Sequence, residues 1–181
     1  MFKRLGSDVK FADKELILFD LDGTLIDSGP DLSLALNDML EQLGRNTFTQ
    51  DIIHTWVGNG AQTLVKRAFL GQSDISECIE DEYFTQALKI FLDSYEKNVC
   101  VETTLYPNVK ETLEGLSKRG LKLAIITNKP YKFIAPILKG LEIEGYFELL
   151  LGGDSLDVKK PEQSLFFMHV PNLVLTQVKV S

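Results

Sequence analysis

The chain is poor in the residues that build special-purpose scaffolds. Its two cysteines among 181 residues, Cys78 and Cys100, are too few and too far apart for a disulfide framework or a Cys-x-x-Cys metal or redox pair. Its two histidines, His54 and His169, stand apart from each other and from either cysteine, so no zinc-ligand pattern exists. Gly and Pro number only 13 and 6, which excludes collagen-like and low-complexity chains. No apolar run approaches the roughly 20 residues of a membrane span, and Asp8, Lys10, Asp13, Lys14 and Glu15 break up any apolar signal segment. Positive charge is short as well. Lys and Arg total 19 against 26 Asp and Glu, a formal net charge of -7, which argues against broad binding to nucleic acid or a membrane surface.

The chain does have a soluble globular composition, 44% hydrophobic and 25% charged, at a length that fits one domain or one domain with a sizeable insertion. The expectation is a cytoplasmic protein, monomer or homodimer, whose partners are small molecules. Any anionic one needs a locally positive pocket.

Leu16-Ile17-Leu18-Phe19 is a charge-free apolar run that ends abruptly at Asp20-Leu21-Asp22-Gly23-Thr24, the pattern of a buried parallel-sheet strand feeding a functional turn. Beyond Pro30, which suits a first helical turn, Leu32, Ala35, Leu36, Met39, Leu40 and Leu43 recur at helical spacing up to Gly44. Helical patterns continue over residues 49–57, 61–70 and 80–97 with no strand between them. Alternation then begins. Asn108 and Glu111 stand at capping-box spacing for a helix ending at Gly120, followed by a strand over 121–126, a helix over 131–141 and a strand over 147–151. These patterns predict an α/β fold: a Rossmann-like, doubly wound parallel sheet formed by residues 1–28 and 103–181, with residues 29–102 inserted as a helical cap. In such sheets ligands bind beyond the C-terminal strand ends, which would bring Asp20, Thr127 and the segment 154–160 together.

Asp20 and Asp22 are two apart at a strand end, so their side chains turn to the same side of the backbone. A carboxylate pair suits a hard cation and lets one group stay ionised while the other handles a proton. Gly23 and Thr24 add flexibility and backbone amides. A bare Asp-x-Asp-Gly is often only a solvated turn; here it closes a buried strand.

The run Phe19-Asp20-Leu21-Asp22-Gly23-Thr24-Leu25 resembles the first motif of the haloacid dehalogenase superfamily of phosphatases, and two further motifs follow in order. Ile125-Ile126-Thr127-Asn128 resembles the second, and Lys159-Lys160-Pro161 the third, with Lys160 the lysine before proline. Within the superfamily the wording is most similar to phosphoglycolate phosphatases, where Thr127-Asn128-Lys129-Pro130, Gly152-Gly153-Asp154-Ser155 and Val57-Gly58-Asn59-Gly60-Ala61 are familiar phrases. The resemblance implies a Mg²⁺-dependent phosphomonoester hydrolase acting on a small phosphorylated metabolite. Asp20 would be the nucleophile, Asp22 the acid and base, and both would hold the metal. Lys160 would neutralise charge; Thr127, Asn128, Gly23 and Thr24 would bind phosphate.

The cap residues admit two readings. Gly58-Asn59-Gly60 lacks the third glycine and the preceding strand of a dinucleotide fingerprint, so it is either a plain helix connection or, by the resemblance, a substrate-specificity loop. Arg67 either lies on a solvated helix face or meets the substrate carboxylate. His54 and His169 read as isolated, Trp56, Phe69, Phe84 and Phe91 as cap core, and Asp27 and Asp31 as helix-start residues.

After Pro161 the resemblance stops. The family's fourth, acidic motif is absent, and from Glu162 to Ser181 only Glu162 and Lys179 are charged. The reading adopted is a truncated chain with an altered tail, weakly active and poorly soluble; a short variant taking its metal ligand from elsewhere is the alternative. Rival functions are a sugar phosphatase or phosphomutase of the same superfamily and a catalytically incomplete phosphate-binding protein. Asp22 argues against a dehalogenase, and the long insertion between Asp20 and Thr127 against a receiver domain.

Overall fold

The structure, a computed structural model, describes residues 16–72 and 81–155. The chain runs through β1 (Leu16–Phe19), turns tightly, and leaves through β2 (Ile26–Asp27) into α1 (Gly29–Gln42), α2 (Gln50–His54), α3 (Ala61–Leu70) and α4 (Asp81–Lys97). It returns through β3 (Thr104–Leu105) to α5 (Val109–Lys118), β4 (Lys122–Ile126), a 3-10 turn (Tyr131–Phe133), α6 (Ile134–Gly140) and β5 (Leu149–Leu151). β1 pairs with β4 and β4 with β5, both parallel, in the order β1-β4-β5. Parallel neighbours need crossover connections, and α6 supplies the one between β4 and β5.

The unbroken apolar runs of β1 and β4 are explained by burial on both faces. Ile17, Phe19, Leu123 and Ile125 share the main core with Leu113 of α5 and Ile134 and Ile137 of α6. Leu16, Leu18, Ala124 and Ile126 form a second cluster with Leu149 and Leu151. The period-2 alternation of a strand sorts the residues this way. In the helical block α1 packs along α4, burying Leu36, Met39 and Leu40 against an interior that includes Phe91 and Tyr95.

The segments joining block and sheet are strapped together. β2 and β3 pair antiparallel, Ile26 opposite Leu105 and Asp27 opposite Thr104. Asp31, 1% exposed, accepts hydrogen bonds from the amides of Val101, Glu102 and Thr103 at 3.0, 2.8 and 2.9 Å and from the Thr103 hydroxyl at 2.6 Å. It thus acts across the chain instead of capping its own helix.

The expected elements are present with shifted ends, and three details differ. The two-residue strands β2 and β3 carry no readable pattern of their own. The helix expected over 49–57 is confined to Gln50–His54. Asn108 takes the left-handed conformation at φ +65° and makes no side-chain cap bond, so no capping box forms. Among the described residues, no helix is long and apolar enough to cross a membrane.

Candidate active site

The end of β1 shapes the first part of the site. Asp20 accepts a hydrogen bond from the Leu21 amide at 2.9 Å. The chain then doubles back so sharply that the amides of Thr24, Leu25 and Ile26 all converge on the Leu21 carbonyl, at 3.2, 2.9 and 3.2 Å. Gly23 permits this with φ +76°, a conformation costly for residues bearing a Cβ. The turn directs the Asp22 carboxylate, only 11% exposed, onto two donors. Ser28 Oγ donates to it at 2.5 Å and Lys129 Nζ at 3.0 Å.

Lys129 is the residue the sequence reading passed over. It is 4% exposed and arrives from the loop after β4, 107 positions from Asp22. Burial by itself would lower the pKa of its ammonium, but the Asp22 carboxylate and the neighbouring Tyr95 outweigh that, and the net shift is upward. Nζ lies 4.8 Å from the centre of the Tyr95 ring, within cation-π range. Burial chiefly pushes the Tyr95 hydroxyl up to about 12. That hydroxyl is near enough to the ammonium to influence it, yet makes no well-formed hydrogen bond among the described residues. A polar signal for Lys129 existed in its place at an apolar strand's end; Tyr95, on the apolar stripe of a helix, offered none.

Thr127 follows β4 directly and is buried. Its amide donates to Leu151 O at 3.0 Å, and its hydroxyl oxygen accepts from the Lys129 amide at 3.2 Å. The end of β5 closes against this loop because Gly152 and Gly153 have no side chains. A Cβ on Gly152 would fall 2.6 Å from the Tyr131 backbone, and one on Gly153 would overlap the Asn128 carbonyl. Gly153 N donates to Lys129 O at 2.8 Å, and Tyr131 N to Asp154 at 2.7 Å. Asp154 therefore reaches the site region, but its carboxylate holds the Tyr131 amide.

The helical block meets the sheet at the Gly58-Asn59-Gly60 loop. Asn128 Nδ2 donates to Gly58 O at 3.3 Å, and a Cβ on Gly60, at φ +86°, would fall 3.0 Å from Asn128 O. Arg67 is turned to the loop itself. Its guanidinium donates to Trp56 O at 2.6 Å and Asn59 Oδ1 at 3.0 Å, bracing the loop from behind. Trp56, Phe69 and Phe91 are buried core residues, and His54 pairs with Asp27 at 3.3 Å. A cleft opens between block and sheet, lined by Asp22, Lys129 and Tyr95, by Gly58 and Gly60, and by apolar side chains including Leu32, Leu64, Phe91 and Phe133.

For a divalent cation, Asp20 offers a carboxylate and Asp22 a backbone carbonyl, both hard oxygen donors suited to Mg²⁺, which keeps several waters when bound. Among the described residues no three His, Cys, Asp or Glu side chains gather as a metal cluster. Those two donors fit a largely hydrated Mg²⁺. Lys160, with Lys159 and Pro161, lies outside the described residues.

Parallel strand pairing, with the helices α1 to α4 between β1 and β4, is an α/β architecture. The chain belongs to the haloacid dehalogenase-like hydrolases, whose family model matches residues 17–179; the match runs past Pro161, where the motif resemblance ends. It is 52% identical over 153 residues to a phosphoglycolate phosphatase of Colwellia psychrerythraea, covering 84% of this chain and 68% of that protein. It is 43% identical over 164 residues to one of Pseudomonas putida, covering 90% and 60%. The chain thus spans about two thirds or less of these curated relatives. Among solved structures, a protein from Haemophilus somnus described as a predicted phosphoglycolate phosphatase matches with TM-score 0.75 and 41% identity, over 85% of this chain and 69% of that one.

Proposed function

We propose that the chain carries the phosphatase machinery of a small phosphomonoester hydrolase, with 2-phosphoglycolate as substrate, glycolate and phosphate as products, and an aspartyl-phosphate intermediate on Asp20. The observation that carries this reading is Asp22, two residues beyond Asp20, held by Ser28 and Lys129 at the edge of a small cleft beneath the inserted helices. The names of the relatives support the substrate.

Asp20 attacks phosphorus in line while Asp22 gives a proton to the departing alkoxide; Asp22 then takes one from the water that cleaves the Asp20 ester. A carboxylate approaches an anionic phosphate only where donors and positive charge offset the repulsion. Thr127 and Asn128 are assigned to the phosphate, and Lys160 to neutralising it together with Asp20; the amides of Gly23 and Thr24, expected there too, are spent within the turn on Ile26 O at 2.9 Å and Leu21 O at 3.2 Å. The Asp20 carboxylate and the Asp22 carbonyl would hold Mg²⁺, which when bound screens that same charge. The partner is a small phosphorylated metabolite, without nucleic acid or membrane, in the cytoplasm; the chain acts as monomer or homodimer.

The test is phosphate release from 2-phosphoglycolate by the purified chain, with and without Mg²⁺, beside Asp20→Asn. Release should need the metal and fall at least about 10³-fold in the variant. Equal release by both proteins, or none from a folded sample, would overturn the reading and favour a phosphate-binding protein. Faster release from sugar phosphates would move the substrate to the sugar-phosphate branch.

A further inference from the structure

The cleft is chemically lopsided. Most of its wall is apolar, and the side chains that bring polarity are Asp22, Lys129 and Tyr95. Asp22 is committed to the leaving oxygen in the reading above, which leaves Lys129 and Tyr95 unassigned. Each has capacity left over. The ammonium carries three donors and spends one on Asp22 at 3.0 Å. Tyr95 is 1% exposed, and among the described residues its hydroxyl makes no well-formed hydrogen bond, a condition folding ordinarily avoids because an unmet buried donor is costly. Nζ lies 4.8 Å from the centre of the Tyr95 ring, and the hydroxyl is near enough to the ammonium to influence it, so the two groups are neighbours.

We propose that Lys129 and Tyr95 together anchor a carboxylate on the alcohol part of the substrate, selecting phosphomonoesters of small hydroxy acids over those of uncharged or polyhydroxylated alcohols. The inference rests on the phosphatase reading. The reach is right for a 2-hydroxy acid. Its ester oxygen and carboxylate oxygen are three bonds apart, about 3 Å for bonds of about 1.5 Å, and Lys129 sits 3.0 Å from the Asp22 oxygen that would serve the ester oxygen. A carboxylate entering an apolar cleft needs a cation, and among the described residues Lys129 is the cationic side chain lining this one. A sugar would need many hydroxyl partners that Leu32, Leu64, Phe91 and Phe133 cannot provide. Arg67, the other candidate for a substrate carboxylate, is turned to Trp56 and Asn59 and does not line the cleft.

The experiment compares kcat/KM for 2-phosphoglycolate and for ethyl phosphate, which has the same carbon count without the carboxylate. It also titrates glycolate calorimetrically into the chain. The wild-type ratio should exceed about 100, since sites built to hydrogen-bond a group discriminate strongly against analogues lacking it. In Tyr95→Phe the ratio and the glycolate affinity should each fall about 10-fold. Lys129→Met should abolish glycolate binding, and Lys129→Arg should restore part of it. A wild-type ratio within twofold of unity, or a Tyr95→Phe variant in which both substrates slow together with the ratio unmoved, would overturn the anchor and leave the phosphatase standing. Lys129-dependent glycolate binding without turnover of either substrate would do the reverse. Absence of glycolate binding in a folded wild-type chain would overturn the anchor.

Discussion

Asp31 shows how much one buried carboxylate can hold together. Its two oxygens accept four hydrogen bonds from Val101, Glu102 and Thr103, tying the start of the inserted helices to the segment that leaves them. Removing it leaves the buried Thr103 amide and hydroxyl unmet, each costing about 1–3 kcal/mol, while the amides of the exposed Val101 and Glu102 turn to water. Asp31→Ala should therefore lower the unfolding free energy by at least about 2 kcal/mol, with Asp31→Asn intermediate because one oxygen is retained. Urea unfolding at neutral pH checks both, and an Asp31→Ala midpoint equal to wild type would show that water replaces the carboxylate freely. The role was invisible in the sequence because the partners lie 70 to 72 positions away; read locally, an aspartate near a helix start looks like a dipole partner. Asp20 and Asp22 were legible for the opposite reason, since both carboxylates and the glycine that turns the chain fall within four residues.

At the scale of elements, what could be read depended on how much of an element's partner lay within its own segment. The helices α1, α3 and α4 show their buried stripes in their own spacing, and the two-sided burial of β1 and β4 shows as unbroken apolar runs. β2 and β3 are two residues each and exist through their pairing, which no local pattern encodes. The loop before α3 is a similar case. Gly58 and Gly60 mark a turn, but its seat on Asn128 depends on contact between segments about 70 residues apart. The brace from Arg67 explains how the loop keeps that seat. Arg67→Ala should raise KM for 2-phosphoglycolate about three- to tenfold while kcat changes less than about twofold, the mark of lost uniform binding, because the guanidinium shapes the loop without lining the cleft. A kcat loss matching the KM change would instead mean that Arg67 acts in the transition state.

For the molecule as a whole, the parallel sheet made the location of the candidate site legible: its strands deliver their polar ends to one edge, and the placing of Asp20, Thr127 and Gly152 there follows from that. What the sheet could not reveal is that the inserted block supplies part of the polar chemistry, through Tyr95 against Lys129. That arrangement leaves a trace in stability as well as in selectivity. The fold favours neutral Tyr95, so between its ordinary value of 10.0 and about 12 the native chain keeps a proton the unfolded chain has lost. Lys129 is also shifted upward from 10.5, so the native chain again holds the proton longer. Both effects have one sign. The stabilisation is complete below about pH 10 and is lost as pH rises, at no more than about 1.4 kcal/mol per pH unit for each proton. Urea unfolding should give a flat stability from pH 7 to 9 and a steep fall above 10. Tyr95→Phe should fall more gently, by about 1.4 kcal/mol per pH unit at the steepest point. Parallel curves for the two proteins above pH 10 would mean that the Tyr95 hydroxyl reaches solvent in the native state, and a donor in contact with solvent would have no unmet hydrogen bond to offer a substrate.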